Sequence, residues 1–266
     1  MKKRLKEQAI IKQSRTVNER EDFLWLDYLI EPSILKTFLE RCKNILSDEA
    51  NEELLQKMNE EIFSAADQVW EDIKSDIPGF DCRKGCSWCC HQSVSVTWPE
   101  LLDVLRYLRQ TLSRDDLVEL RKKSKDKADE ILEKFDDGSN GSFHKISCLF
   151  LKNNICTIHE SRPLQCRGGF SEEESYCKSL LEDTKNTQNA VETGNLHGKF
   201  LVAPKLIFNS AQVAMTYAMK DIGLEGATYE FTVAISILIK KLCDGEADSI
   251  IENDLKPALL PQNFNV

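Results

Sequence analysis

The chain has 266 residues, with 35 Lys and Arg against 44 Asp and Glu, a formal charge of −9. This is the length of one globular domain or two small ones, and an acidic surface disfavours general binding to phosphate backbones. Gly and Pro number only 11 and 7, so turns are scarce and a mainly α protein is predicted, a helical chain with an irregular cysteine-rich metal-binding core and at most a few short strands.

Residues 1–20 are highly charged and lack a sustained apolar period, which predicts a charged mobile extension. They also lack the apolar centre of a secretory signal, and the longest near-apolar run, Phe231 to Ile239, is about half the ~18 residues of a membrane span. A cytoplasmic protein with no membrane and no nucleic-acid partner is expected. Residues 21–77 read as N-terminal helices. A helical pattern starts at Leu24, and in Asn51 to Ser75 the apolar residues Leu55, Met58, Ile62, Ala66, Val69 and Ile73 recur at spacings of three or four, one continuous stripe. The opposite face, Glu52, Glu53, Lys57, Glu60, Glu61, Asp67 and Glu71, reads as solvated. Ile77-Pro78-Gly79 ends the helix, because Pro disfavours helix for its predecessor and Gly permits the redirection.

Residues 78–180 hold the cysteines. Ser93 to Val96 alternates like a short strand. Thr97-Trp98-Pro99-Glu100 is a capping box, opening a helical insertion over 98–136. Its first helix turns Leu101, Leu105, Leu108 and Leu112 inward. Its second, from about Asp115 to Phe135, carries Leu117, Leu120, Ala128, Ile131 and Phe135 and stops in the loop Asp136 to Gly141. Residues 181–266 form a C-terminal helical region, and the whole is expected to make one compact domain. There Glu182 to Gly198 reads as a helix end and loop, and Phe200 to Phe208, interrupted by Pro204, as an edge strand or packed coil. Three helices follow near 209–222, 228–243 and 247–256.

Ten cysteines are present, and eight lie between Cys82 and Cys177. In a reducing cytoplasm such clustering points to metal coordination by thiolates rather than to disulfides. The first half is Cys82-Arg83-Lys84-Gly85-Cys86-Ser87-Trp88-Cys89-Cys90. Intervals of two and three residues let sulfurs converge from one tight loop, with Gly85 supplying the freedom it needs. Neighbouring side chains diverge, so Cys89 and Cys90 are not expected to hold the same tetrahedral ion; one serves a second metal or stays free. The second half is Cys148, Cys156, Cys166 and Cys177. Asn153-Asn154 is a turn signal that sets Cys148 and Cys156 opposite each other across a small hairpin. Eight thiols suffice for two four-ligand sites, or for one cluster with thiols to spare. Cys42 and Cys243, beside Leu39 and Leu242, read as core residues.

The order C-x3-C-x2-C-C, then C-x-F-L and C-x-I-x-E-x-R-P-x-x-C-R, resembles a cysteine-cluster family usually called YkgJ, a zinc- or iron-chelating domain. The resemblance covers about residues 80–180 and implies that Cys82, Cys86, Cys89, Cys90, Cys148, Cys156 and Cys166 belong to the metal-binding set. Leu149 and His159 depart from the Pro and Tyr common in that family. Flagellin lysine N-methylase, which uses S-adenosylmethionine and carries an iron–sulfur cluster, has similar cysteine segments. However, no glycine-rich strand–turn–helix fingerprint for a Rossmann-type cofactor site accompanies them here.

His91 and His159 lie where each can ligate a metal or hydrogen-bond a thiolate, whereas His144 and His197 read as surface residues. Arg162 and Arg167 are expected to offset the net negative charge of a four-thiolate centre, whether zinc or a 4Fe-4S cluster. Iron–sulfur is preferred on the number and concentration of thiols. Three functions follow as expectations: a metalloprotein with redox-type activity, a zinc-organised module for an unknown protein partner, or a lysine N-methylase-like enzyme.

Overall fold

In the computed structural model, the described residues are 30–46, 51–77, 79–136, 145–193, 195–196, 198–246 and 252–259. The charged extension over 1–20, the pattern beginning at Leu24, Pro78, the loop after Asp136, His144 and His197 lie outside them, as does the side chain of Phe135.

Helix α1, Pro32–Ile45, begins where the Glu31 carboxylate accepts from the amides of Ser33 at 2.7 Å and Ile34 at 3.0 Å. Two of the unpaired donors of the first turn are thereby satisfied. Helix α2, Glu52–Lys74, is capped by Asn51 accepting from the Leu54 amide, with Glu52 and Glu53 at its positive end. Its stripe of Leu55, Met58, Ile62, Ala66, Val69 and Ile73 is buried, as the spacing predicts.

Strand β1, Ser95–Thr97, runs directly into helix α3, Trp98–Thr111, through the predicted capping box: Glu100 accepts from both the amide and the hydroxyl of Thr97, each at 2.8 Å. Helix α4, Arg114–Asp136, completes the insertion. A hairpin of β2, Leu151–Lys152, and β3, Ile155–Cys156, is followed by the single turn α5, Leu164–Arg167, and by α6, Glu174–Glu182.

The C-terminal third differs from expectation in three places. Residues 184–192 are helix α7, Thr184–Glu192, rather than loop. Asp183 breaks the backbone at φ −139°, and the Thr184 and Thr187 hydroxyls bond back to the carbonyls of Leu180 and Ser179, so polar side chains fold the new turn onto the old. Helix α8, Val202–Asp221, begins before Pro204 and runs through it. Pro204 sits in the first turn, where its missing N–H removes no helical bond, so this proline starts a helix and does not interrupt a strand. Finally, Thr228–Glu230 is strand β4, antiparallel to β1 with Val96 opposite Tyr229, and helix α9 covers only Phe231–Asp244, with Glu230 as its cap. A 3₁₀ segment, Glu252–Ala258, follows.

Helix α8 is buried along nearly its whole length, enclosed by α1, α2, α5 and β1, while α9 packs against α4, α3 and the 3₁₀ segment. One apolar cluster connects these elements, from Ile34 to Ala258. The chain is therefore mainly α, with two small two-stranded sheets among the described residues. No described helix is long and apolar enough to cross a membrane.

Candidate metal centre

The cysteine region is anchored at both ends on α2. Trp70 lies 4.8 Å from Phe170 and 6.0 Å from Phe80, and these two rings meet edge to face at 5.1 Å. The segment before Cys82 and the segment after Cys166 thus share one aromatic support. From the other side, buried Glu100 accepts from the Leu164 amide and the Gln212 side chain at 2.8 and 2.9 Å, fixing the turn that carries Cys166 between α3 and α8. Gly168 packs closely here too, since a Cβ would meet the Phe208 side chain at 3.3 Å.

The first cysteine loop is built against residues 169–177. The Asp81 amide donates to the Ser171 carbonyl, and the Ser171 amide donates to the Cys82 sulfur at 3.3 Å. A turn closed by the Cys86 amide on the Arg83 carbonyl has Gly85 at φ +93°, a left-handed conformation that suits glycine. Next, Trp88–His91 forms a 3₁₀ turn. Glu174 at the start of α6 holds this loop, accepting from the Trp88 indole at 2.9 Å and pairing with Arg83, while its own amide donates to Asp81. Buried Cys177 lies three residues further along the same helix.

The hairpin meets the first loop through a main-chain bond from the Cys148 amide to the Cys90 carbonyl at 2.6 Å and through the Ser87 hydroxyl, which donates to the Asn154 side-chain oxygen at 3.2 Å. Asn153 and Asn154 form the predicted turn, at φ 52° and 59°. That two-residue turn sets the register, so the partner of Cys156 in the ladder is Leu151 rather than Cys148. Cys148 instead sits at the entry to the hairpin, where its carbonyl accepts from the Leu151 amide.

All ten cysteines are free. Burial pushes the thiols of Cys82 and Cys148 up to about 11 and that of Cys177 to about 12, and raises those of Cys86, Cys156 and Cys166. Cys89 is raised first by a hydrogen bond with the Cys90 thiol and then by burial. Without a cation these seven raised thiols therefore keep their protons at neutral pH. The thiols are near enough to act on one another's charge: Cys177 feels Cys89, Cys82 and Cys86, and Cys166 feels Cys148, Cys89 and Cys156. Cys89 is common to both groups.

The arginines divide. Arg167 directs its donors to the Asp67 carboxylate at 2.6 Å, the Arg162 carbonyl at 3.0 Å and the Glu160 carbonyl, and its guanidinium covers Phe63 at 4.5 Å. It ties the loop before Cys166 to α2, and Asp67, read as solvated, is its partner. Arg162 faces the thiols and lowers those of Cys156 and Cys166 against the effect of burial. Its Nη1 meets His159 Nε2, which occupies that ring nitrogen, while Arg162 Nε and His91 Nδ1 are buried without a hydrogen-bond partner.

Among the described residues no three His, Cys, Asp or Glu side chains converge closely enough to hold an ion in their present rotamers. A cysteine changes the position of its sulfur by rotation about a single χ angle. Cys42 is fully buried in the core, but Cys243 is only half-buried, its thiol 3.7 Å from the Leu117 carbonyl.

Sequence reading missed Lys205, a buried ammonium on α8 that lowers the Cys89 thiol, and the supports Ser171, Glu174 and Glu100. A single lysine inside the apolar run from Phe200 to Phe208 was the one available sign of it.

Fold and site together define a helical protein built around a thiol-rich segment. Residues 81–189 match the model of the CxxCxxCC family, described as "Putative zinc- or iron-chelating domain". No curated protein and no solved structure matches the chain significantly.

Proposed function

We propose that this is a cytoplasmic metalloprotein whose clustered thiols hold an iron–sulfur centre, of the 4Fe-4S type, with redox-type activity. Metal binding through these cysteines is supported by the family match. The observation that carries the reading is the junction at Cys90 and Cys148, which joins thiols more than 50 residues apart in sequence around Cys89. The donor set fits: sulfur is the chosen ligand of iron–sulfur clusters and of zinc alike. Two buried nitrogens without partners, Arg162 Nε and His91 Nδ1, belong to residues next to the cysteine motifs, and Arg162 Nε–H is a donor of the kind that bonds metal-bound or bridging sulfur.

A bound cluster supplies one-electron transfer. The chain's own part is to supply the thiols, whose protons the entering metal displaces, to offset the negative charge with Arg162 and Lys205, and to keep Cys82 and Cys86 half-exposed, so that one rim of the centre lies near solvent. Protein purified without oxygen is expected to be brown, with broad absorbance near 400 nm and iron and sulfide in equal amounts. Colourless protein with stoichiometric zinc overturns the iron–sulfur reading.

Zinc as an organiser of a protein-binding surface is the second reading, favoured by Ile155, 47% exposed at the hairpin beside Cys156. Its test is a partner captured by metal-loaded protein and lost on chelation. Methyl transfer draws no support from the fold, because the described strands pair only as two-stranded antiparallel sheets.

A further inference from the structure

We propose that Glu100 and Gln212 are a pair of positioning residues for the thiol site, holding the exit of the first cysteine loop and the turn of Cys166 to one buried point of the helical core. This rests on the metal-binding reading above and adds to it the groups that fix one cysteine half relative to the other.

Glu100 is 1% exposed and accepts in each of four hydrogen bonds. Its Oε1 takes the amide of Leu164, at the start of the turn α5 that carries Cys166, at 2.8 Å. Its Oε2 takes the amide and the hydroxyl of Thr97, each at 2.8 Å, and the side-chain amide of Gln212 at 2.9 Å. An ionised carboxylate can only accept, which suits a site where every neighbour donates. The same property orients the carboxamides behind it. Gln212 must turn its NH₂ toward Glu100, and that group also reaches the Ser95 carbonyl at 2.9 Å. The Gln212 oxygen then faces Gln165, whose NH₂ donates to it at 3.3 Å and to Asn209 at 3.1 Å. Gln165 is the neighbour of Cys166, and Asn209 and Gln212 lie on one face of buried α8.

Four segments therefore meet on one pair of side chains. Strand β1, with Ser95, follows the 3₁₀ turn of Cys89 and Cys90, while Leu164 and Gln165 bring in Cys166. Thr97 opens α3, and α8 is the fixed core against which the others are placed. Cys90 and Cys166 are only half-buried, so hydrogen bonds to a buried anchor locate their turns where side-chain packing does not. Glu100→Gln is nearly isosteric yet cannot keep this pattern. Its NH₂ must face a donor, either the Leu164 amide or Thr97 and Gln212, and in both cases the link from Cys166 through Glu100 and Gln212 to Ser95 is broken.

The test alkylates the metal-free full chain with iodoacetamide and reads the rate at each cysteine by peptide mass spectrometry. The same chain is titrated without oxygen with cobalt(II) alone, followed by sulfur-to-cobalt charge-transfer absorption. Glu100→Gln is expected to speed labelling of Cys166 by about tenfold, the factor that loss of a hydrogen bond commonly gives in local opening, while Cys42, sealed in the core, stays unlabelled. Cobalt binding is expected to weaken by about 10- to 100-fold, the range over which ligand-orienting groups act. In a Cys166→Ser background the same substitution is expected to weaken it no further. An unchanged Cys166 rate, or an equal loss of cobalt affinity with and without Cys166, overturns the proposal. Absence of charge-transfer absorption in the unaltered chain overturns the metal-binding reading instead, and the labelling rates then decide the positioning alone. Should Glu100→Gln unfold, as labelling of Cys42 would reveal, Gln212→Met carries the test, because it leaves the bonds of Glu100 to Leu164 and Thr97 in place. Faster labelling of Cys166 in that variant supports the pair, and an unchanged rate overturns it.

Discussion

The amide of Cys148 donates to the carbonyl of Cys90 at 2.6 Å, the bond that closes the hairpin onto the first cysteine loop. Around it the thiols of Cys82, Cys86 and Cys148 are raised by burial, yet Cys82, Cys86, Cys89 and Cys90 lie outside the apolar cluster and Cys148, Cys156 and Cys166 only at its margin. A bound metal is therefore expected to stabilise this region strongly, by a contribution on the order of 10 kcal/mol in small thiolate domains. Chelation is expected to raise amide exchange at residues 80–92 and 145–177 while α1, α2 and α8, packed through Phe38, Met58, Ile62 and Ala211, keep their protection. Hydrogen exchange with and without chelator measures this, and Cys86→Ser is expected to reproduce the chelated pattern.

Arg167 and Asp67 form a pair that couples α2 to the loop before Cys166, with the arginine side chain 10% exposed and the aspartate 44%. Arg167→Met keeps the packing on Phe63 but loses three hydrogen bonds and leaves two carbonyls short of a donor, a cost of about 3 kcal/mol. Asp67→Asn leaves a neutral acceptor on a half-exposed site and costs about 1 kcal/mol. Urea unfolding of both variants checks the order; equal effects would mean that the carbonyl contacts contribute little.

What could be read in the sequence was what its local chemistry determines. The α2 stripe, the Thr97 to Glu100 box and the Asn153-Asn154 turn each depend on residues within a few positions of one another, and the structure has all three. The resemblance to the family whose model matches residues 81–189 was equally legible, because cysteine spacing is itself a local property. Pro204 was ambiguous: the same residue ends one element or begins another, and only the burial of Leu206, Ile207 and Phe208 around α8 decides. Arg167 has its partner 100 positions away and Lys205 lies against a loop more than 100 positions earlier, so no pattern within either segment signals them.

Two glycines separate conformational strain from steric conflict. Gly85, at φ +93° with nothing within 4 Å of a Cβ, is expected to lose only about 1–2 kcal/mol on Gly85→Ala. At Gly226, φ +53°, a Cβ would stand 2.4 Å from the Thr216 carbonyl oxygen, so Gly226→Ala must also displace backbone where α8 turns toward β4. Thermal unfolding is expected to show the larger loss for Gly226→Ala. Metal content is expected to fall, if at all, only for Gly85→Ala, which alone lies in the cysteine loop.

Glu230 links stability to pH. Burial pushes its carboxyl up from 4.5 to about 7, against the lowering effect of the Val233 amide it caps, and burial also raises Glu100. The folded chain therefore holds a proton on Glu230 that the unfolded chain releases near 4.5. The corresponding stability is complete below that value and is lost as pH rises through about 7, a change on the order of 3 kcal/mol. His159 acts in the opposite sense, because burial and Arg162 lower it, so what it contributes is present above 6.5 and lost as pH falls. Comparing the unaltered chain with Glu230→Gln removes His159 and Glu100 from the difference, since both are present in each protein. The amide oxygen of the variant still accepts from Val233, so the cap survives while the titration is gone. Urea midpoints at pH 5 and pH 8 are expected to differ less in Glu230→Gln than in the unaltered chain, with the variant the relatively more stable of the two at pH 8. An identical pH dependence in both proteins would show that Glu230 is ionised in the folded chain throughout this range.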